Sequence, residues 1–426
     1  MGRFEAALAR ACAGAGMVPA ADAETITKVC EHARFDAAQL ARNAREAGTL
    51  AIPFVKSLTQ QVAASSQEAA RYVHLGATSQ DVMDTAAVLC LREAAAHISE
   101  LARRLGDALA ELVVRHRDTP LAARTLLQPA LPVPFGWKVA GWLSMVARSR
   151  AHFRAAADES AVLQFGGAGG TLSAYGSQGS RVASALAAAL GLQLPSISWH
   201  SGRDRFARLG AAAAILTGAA GRVARDVSLL MQPEVGEAAE PAAPGRGGSS
   251  SLPHKRNPAA CLLALEAAQR SPGLVATLLG QLTPEHERGL GQWQAQWFTL
   301  RELFCASASA LASMAQVAAG LQVFPEAMQK NLERTRGLVY SEAVSLRLSQ
   351  ALGKQAAHAL TEKLCVEALR RNASLEDVMR ANSDVTHIVS PRELAELFRP
   401  QGTFGAAASM IDGVLAEWAA ARAGAT

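Results

Sequence analysis

No run of five or six basic residues occurs in this 426-residue chain, although its formal net charge is +5 and its isoelectric point about 9.0. A nucleic-acid-binding stripe is therefore not indicated, while a basic pocket for a small polyanion and a basic surface of no specific meaning both stay open. Aromatic residues are scarce, at 5%, and only 19% of residues are charged against 50% hydrophobic. That balance excludes a disordered chain. None of Cys12, Cys30, Cys90, Cys261, Cys305 and Cys365 forms a CxxC pair. They read as reduced core thiols of a cytoplasmic protein, not as a disulfide framework or a zinc site. The N-terminal MGRFEAALARACAGAG is amphipathic but lacks a signal peptide's apolar run. No apolar stretch reads as long and uninterrupted enough to span a membrane. GxGxxG and GxxxxGK[ST] are both missing, which argues against a dinucleotide fold and a P-loop. The sequon Asn372-Ala373-Ser374 means nothing in a cytoplasmic protein.

Alanine and leucine dominate, and both favour helix. Helical periodicity runs almost throughout, with no convincing period-2 strands. Long helices are expected over roughly 82–117, 135–160 and 204–232. In the first, Val82, Leu89, Ile98, Leu101, Leu105, Leu109 and Leu112 recur near helical spacing, and Asp118-Thr119-Pro120 closes it. Such lengths exceed the usual helix of about 11 residues and point to a bundle. Asp204 is a plausible N-cap for the third. Glycines interrupt the helical pattern in QFGGAGG at 164–170, and the longest loop signal is EPAAPGRGGSSSLPHKRN at 240–257. Asn257 as N-cap with Pro258 at the first helical position starts the next helix. The length suggests two or three domains: 1–78, a central 79–322 containing the loop 241–257, and a C-terminal 323–426 of shorter helices.

That loop is the strongest local chemical signal. Gly245, Gly247 and Gly248 confer mobility, Ser249, Ser250 and Ser251 supply hydroxyls and backbone donors, and Lys255, Arg256 and Asn257 bring charge and an amide just before a helix. Mobile donors, cations and a helix dipole suit a carboxylate or phosphate. A solvated flexible linker has the same composition.

GSSSLPHKRNP at 248–258 closely resembles the GSSxMPxKxNP signature of the fumarase/aspartase superfamily, with Leu252 in place of the usual Met. The segment from His74 to Asp81, HLGATSQD, resembles that superfamily's first shared region, and RTLLQPA at 124–130 its second, in the right order. Further stretches, including AIPFVK, LQFGGAGGTL, ARDVSLLMQ, EHERGLGQWQAQW and GLVYSEAVSLRL, are similar to its muconate cycloisomerase branch over almost the whole chain. The resemblance implies a mainly α, three-domain fold around a central long-helix bundle. It implies a cytoplasmic homotetramer in which each active site draws on three subunits, and a small polycarboxylate as substrate. It also implies chemistry without metal or other cofactor, and no nucleic-acid or membrane partner.

The superfamily's common step makes or breaks a bond beta to a carboxylate through an aci-carboxylate intermediate, so donors must strengthen as charge develops. Matched residue by residue, Ser249 is the acid/base, Lys255 and Asn257 bind a carboxylate, and Thr78 and Ser79 donate hydroxyls from another subunit. Arg124, Thr125 and Gln128 belong to the second region's pocket. His74 matches a substrate contact, with a hydrogen-bonded structural histidine as the alternative. Arg288 matches a carboxylate clamp, with an interface salt bridge as the alternative. His200, Arg203 and Arg205 read as helix-start residues first. The Glu285-His286-Glu287 run is no plausible metal site. The pattern breaks at Leu126, where lyases carry His and bacterial cycloisomerases Trp, and at Pro129, where the latter carry His. The chain also begins where relatives are already inside their first long helix, so a segment covering the site is expected to be absent, or the start to be misassigned. Three activities stay open: closing carboxymuconate to a lactone, releasing fumarate from a succinyl substrate, and a non-catalytic scaffold role.

Overall fold

A computed structural model describes residues 1–242, 245 and 247–423. Among them are 18 α-helices. The long helices run over Ser79–Arg115, Phe135–Ser160 and Asp204–Leu230, with further long ones over Ala259–Leu279 and Gln292–Ala319. All seven apolar residues that mark the first are buried. Each buried leucine or isoleucine contributes about 1.5–3 kcal/mol of hydrophobic stabilisation.

The helix starts differ from expectation in two places. Asp204 is the first helical residue rather than the residue before it, where its charge still complements the positive end of the helix dipole. The helix after the signature loop begins at Ala259, so Asn257 and Pro258 both precede it. Its first free amides, of Ala260 and Cys261, donate to the buried carboxylate of Glu240, at 3.2 and 2.7 Å. The cap therefore comes from across the loop.

Strands are present, contrary to the reading of the sequence. Pro120–Thr125 and Gln128–Pro134 form an antiparallel hairpin in which Thr125 pairs with Gln128. Ala238–Ala239 pairs with Gln322–Val323. The hairpin's two-residue loop is Leu126-Leu127, at φ 50° and 66°. A turn of this kind requires the left-handed region at both positions and ordinarily uses Asn-Gly, so its sequence carries no turn signal.

The chain divides into two compact units, Met1–Ser99 with His152–Ala214 and Ser271–Cys305, and Glu100–Ala151 with Ile215–Arg270 and Ala306–Thr426. In the first, Arg203 is buried against Asp84 through two hydrogen bonds of 2.6 and 3.1 Å. Its guanidinium also lies 5.1 Å from the ring centres of Trp199 and Phe206. In the second, glycine permits close approach: a Cβ at Gly221 would stand 2.5 Å from that of Ala268. The C-terminal helices there close over a core that includes Val344, Leu348, Leu364, Leu375, Val378 and Leu394.

All six cysteines are free thiols, but only Cys12 and Cys261 are buried, and Cys90 and Cys305 are exposed rather than in the core. The helix Gln292–Ala319 is long and apolar enough by length and composition to cross a membrane, which the sequence pattern did not suggest. Over half of its most apolar window, 56%, is buried inside the protein, as a core helix requires.

Candidate active site

The first unit holds His74, Thr78, Ser79 and Arg288. Asp81 stands third in the helix that Ser79 begins, and its Oδ2 reaches back to accept the Thr78 backbone N–H at 3.1 Å. That is one half of a capping box. The same carboxylate accepts the backbone N–H groups of Gly166 and Gly167, at 3.0 and 2.9 Å, and pairs with His200 Nε2 at 2.7 Å. The segment 74–79 and the glycine-rich segment 164–170 are thus bound to one buried anion. Glycine is needed on both sides, against the Tyr175 ring at Gly76 and against the other segment's backbone at Gly167. A Cβ on Gly76, at φ 69°, would lie 2.7 Å from the Tyr175 ring, and one on Gly167 would lie 3.0 Å from the Gly76 carbonyl oxygen. The Tyr175 hydroxyl donates to Leu75 O at 2.5 Å, and burial pushes its pKa well above the ordinary range.

Arg288 donates to Ala168 O at 3.2 Å and reaches Thr78 Oγ1 at 3.4 Å. The structure therefore brings Thr78 and Arg288 together at the rim of the two segments. Ser79 begins the helix beside them. His74 is held by Glu5, Nδ1 to Oε1 at 2.7 Å, in a left-handed backbone conformation at φ 59°. Burial of the ring is the largest influence and lowers its pKa, but the hydrogen bond and charge of Glu5, with the charge of Asp81, outweigh it and raise the value above 6.5.

The second unit holds Arg124, Thr125, Gln128, Ser249, Lys255 and Asn257. Arg124 is engaged by the fully buried Glu237, at 2.7 and 2.8 Å, and Asn331 donates to the same carboxylate at 2.8 Å. Thr125 and Gln128 flank an exposed tip at which Leu126 is 96% and Leu127 75% accessible. In the signature loop, whose residues Ala243, Pro244 and Arg246 lie outside the described residues, Ser249 Oγ accepts the backbone N–H groups of Ser251 and Leu252 at 3.3 and 3.1 Å. Donors aimed at that oxygen favour its ionised form. The Asn257 N–H donates to Gly247 O at 2.7 Å, which closes the base of the loop. Gly247 is required there: at φ 69°, its Cβ would meet the Asn257 carbonyl oxygen at 2.5 Å. Lys255 is exposed, with no side-chain partner among the described residues.

Sequence reasoning missed the buried carboxylates Glu5, Asp81, Asp84, Glu237 and Glu240, which hold these segments. A signal was present for two of them. Asp81 and Asp84 share one face, three apart, among the apolar positions of a long helix, where an unpaired charge is too costly to keep.

Long helices, a glycine-rich segment on a buried carboxylate and a Gly/Ser loop loaded with donors fit a lyase-type enzyme of the fumarase/aspartase superfamily. The family described as Lyase matches residues 1–273, and the family described as adenylosuccinate lyase C-terminus matches residues 337–414. The chain belongs to the lyase family. It is 47% identical over 412 residues to 3-carboxy-cis,cis-muconate cycloisomerase of Bradyrhizobium diazoefficiens, covering 97% of this chain and 91% of that one. It is 40% identical to nitrosuccinate lyase of Streptomyces davaonensis, covering 96% and 88%. The crystal structure of the 3-carboxy-cis,cis-muconate lactonizing enzyme from Pseudomonas putida matches with a TM-score of 0.94 at 42% identity, covering 99% of this chain and 94% of that one.

Proposed function

We propose that the chain closes 3-carboxy-cis,cis-muconate to a carboxymuconolactone, as a cytoplasmic homotetramer with active sites composed from several subunits. The observation that carries this reading is the near full-length likeness, at 47% identity, to a cycloisomerase acting on that compound. In the reaction, a substrate carboxylate oxygen adds to an alkene carbon. The π electrons move to the carbon alpha to a second carboxylate, giving an aci-carboxylate, and that carbon then takes a proton. One C–O and one C–H bond form, one C=C π bond is lost, and no group leaves.

Each step asks something of the residues present. Ser249 delivers the proton, and the resulting alkoxide is stabilised by the Ser251 and Leu252 amides already directed at it and by Lys255. Lys255 and Asn257 hold the carboxylate that gains charge, where donors are worth most. Thr78, Ser79 and Arg288 grip a further carboxylate, with His74 beside them. No leaving-group acid is needed, which suits the apolar Leu126 at the position where lyases carry His.

One observation favours a second reading, release of fumarate from a succinyl substrate: Leu126 and Pro129 also depart from the cycloisomerase pattern, and a nitrosuccinate lyase is among the relatives. Loss of muconate ultraviolet absorbance on adding purified chain to 3-carboxymuconate, run beside fumarate formation from a panel of succinyl adducts, separates the two. Fumarate release without turnover of carboxymuconate would overturn the cycloisomerase reading.

A further inference from the structure

We propose that Asp81 is a positioning residue for this reaction: its buried carboxylate holds the Thr78 segment and the glycine-rich segment 164–170 in the register that lets Thr78 and Arg288 meet one substrate carboxylate. The inference rests on the cycloisomerase reading for its kinetic consequences, not for its geometry.

Asp81 is fully buried, and its two oxygens draw together the Thr78 segment, the glycine-rich segment and His200. Oδ2 accepts from Thr78 N and Gly167 N, and Oδ1 from Gly166 N and His200 Nε2. Three of the four donors are backbone amides, which can approach only if the chain bends toward the carboxylate. The glycines supply that freedom. A Cβ on Gly166 would come within 2.9 Å of His200 Cε1. One carboxylate therefore sets the separation between two segments far apart in the chain.

The rim depends on that separation. Ala168, directly after the two anchored glycines, accepts from Arg288 Nη2, and Thr78, anchored on the other side, lies against Arg288 Nη1. Moving either segment takes away one of the two contacts that aim the guanidinium. Asp81 touches no open surface, so its effect on substrate passes through these groups.

The substitution that tests this is Asp81→Asn. An amide keeps the volume but replaces one accepting oxygen with a donor, which would then face backbone N–H groups. KM for 3-carboxymuconate should rise about tenfold, and kcat/KM should fall about 100-fold, as for a misplacement on the order of 1 Å. A merely architectural carboxylate would lower the melting temperature and the yield of active protein but leave KM unchanged. On an Arg288→Ala background, Asp81→Asn should move KM far less, because the group it aims is gone. Amide exchange of Gly166 and Gly167 should quicken in Asp81→Asn without any substrate.

Unchanged KM in a folded Asp81→Asn variant, with wild type active, would overturn the proposal. If wild type fails to turn over 3-carboxymuconate, the functional reading falls instead, and amide exchange alone decides whether Asp81 anchors the two segments. If Asp81→Asn does not fold, the His200 pair serves. His200→Gln keeps a donor for Oδ1 and should restore KM to within a few-fold, whereas His200→Leu should raise it about tenfold. Equal, wild-type KM values in both would also overturn it.

Discussion

Arg124 and Glu237 form a two-point ion pair, at 2.7 and 2.8 Å, that engages both outer nitrogens of the arginine on a fully buried carboxylate. The Glu237 charge offsets the arginine's own, and contacts to Glu237 and the Ala122 carbonyl occupy its outer nitrogens, which weakens its pull on a substrate carboxylate. Arg124→Ala should destabilise the chain by about 3–5 kcal/mol, the usual cost of stranding a buried charge, lessened by the Asn331 amide that remains on Glu237. KM should change less than in Arg288→Ala. Denaturant unfolding beside steady-state kinetics checks both. A large KM rise at unchanged stability would return Arg124 to the substrate.

On the proposed mechanism, Ser249 and Lys255 act from the same loop but differ in what they supply. Ser249→Ala removes the proton donor, so kcat should drop about 10²- to 10⁴-fold with little change in KM. Lys255→Ala removes a cation that attracts both substrate and aci-carboxylate, so KM and kcat should both suffer. Near-wild-type turnover by Ser249→Ala would transfer the proton step to another group.

His74 makes the folded chain less stable as pH rises from the acid side of neutrality, because its proton is held more tightly when folded. Burial pulls its pKa down, but the hydrogen bond and charge of Glu5 and the charge of Asp81 carry it above 6.5. The folded chain then holds this proton more tightly than the unfolded one. The stabilisation is complete below about pH 6.5 and is lost as pH rises through the raised folded value. Denaturation midpoints of wild type, measured relative to His74→Gln, should therefore fall upward from pH 6.5. A flat difference across that window would mean that the proton is not held in the folded state.

Much of this architecture is written locally. The helix over 135–160 matches Phe135–Ser160, because its limits are set by the Pro-rich stretch before it and the glycine segment after it. Signature motifs likewise single out Ser249, Lys255 and Asn257 as candidates without any fold. What local patterns do not carry is partnership at long range. The Glu240 cap on the Ala259–Leu279 helix and the Asp81 anchor on Gly166 join residues about 20 and 85 positions apart. The hairpin was illegible for another reason. Its turn is leucine-leucine, which contradicts the turn chemistry that a sequence reader relies on.

That turn gives the last prediction. Leu126 and Leu127 both hold left-handed backbone conformations, at φ 50° and 66°, with nearly bare side chains. Each costs roughly 1–2 kcal/mol relative to a residue suited to that region, and neither recovers the cost by packing against its own chain. With both relieved, less the extra backbone entropy that glycine gives the unfolded chain, Leu126→Asn with Leu127→Gly should stabilise the chain by a net of about 1–2 kcal/mol, read as a higher denaturant midpoint. If the tip reaches a substrate or a second copy of the chain, the same variant should lose turnover while gaining stability. Leu126→Trp with Pro129→His restores the side chains that bacterial cycloisomerases carry at these positions. Leucine transfers no proton, and proline offers neither an imidazole nor an N–H, so the restored groups should raise turnover of carboxymuconate by about 10- to 100-fold, the lower part of the range for assisted proton transfer. Loss of that activity in the double variant, with rapid fumarate release by wild type from a succinyl adduct, would assign the leucine tip to a lyase pocket instead.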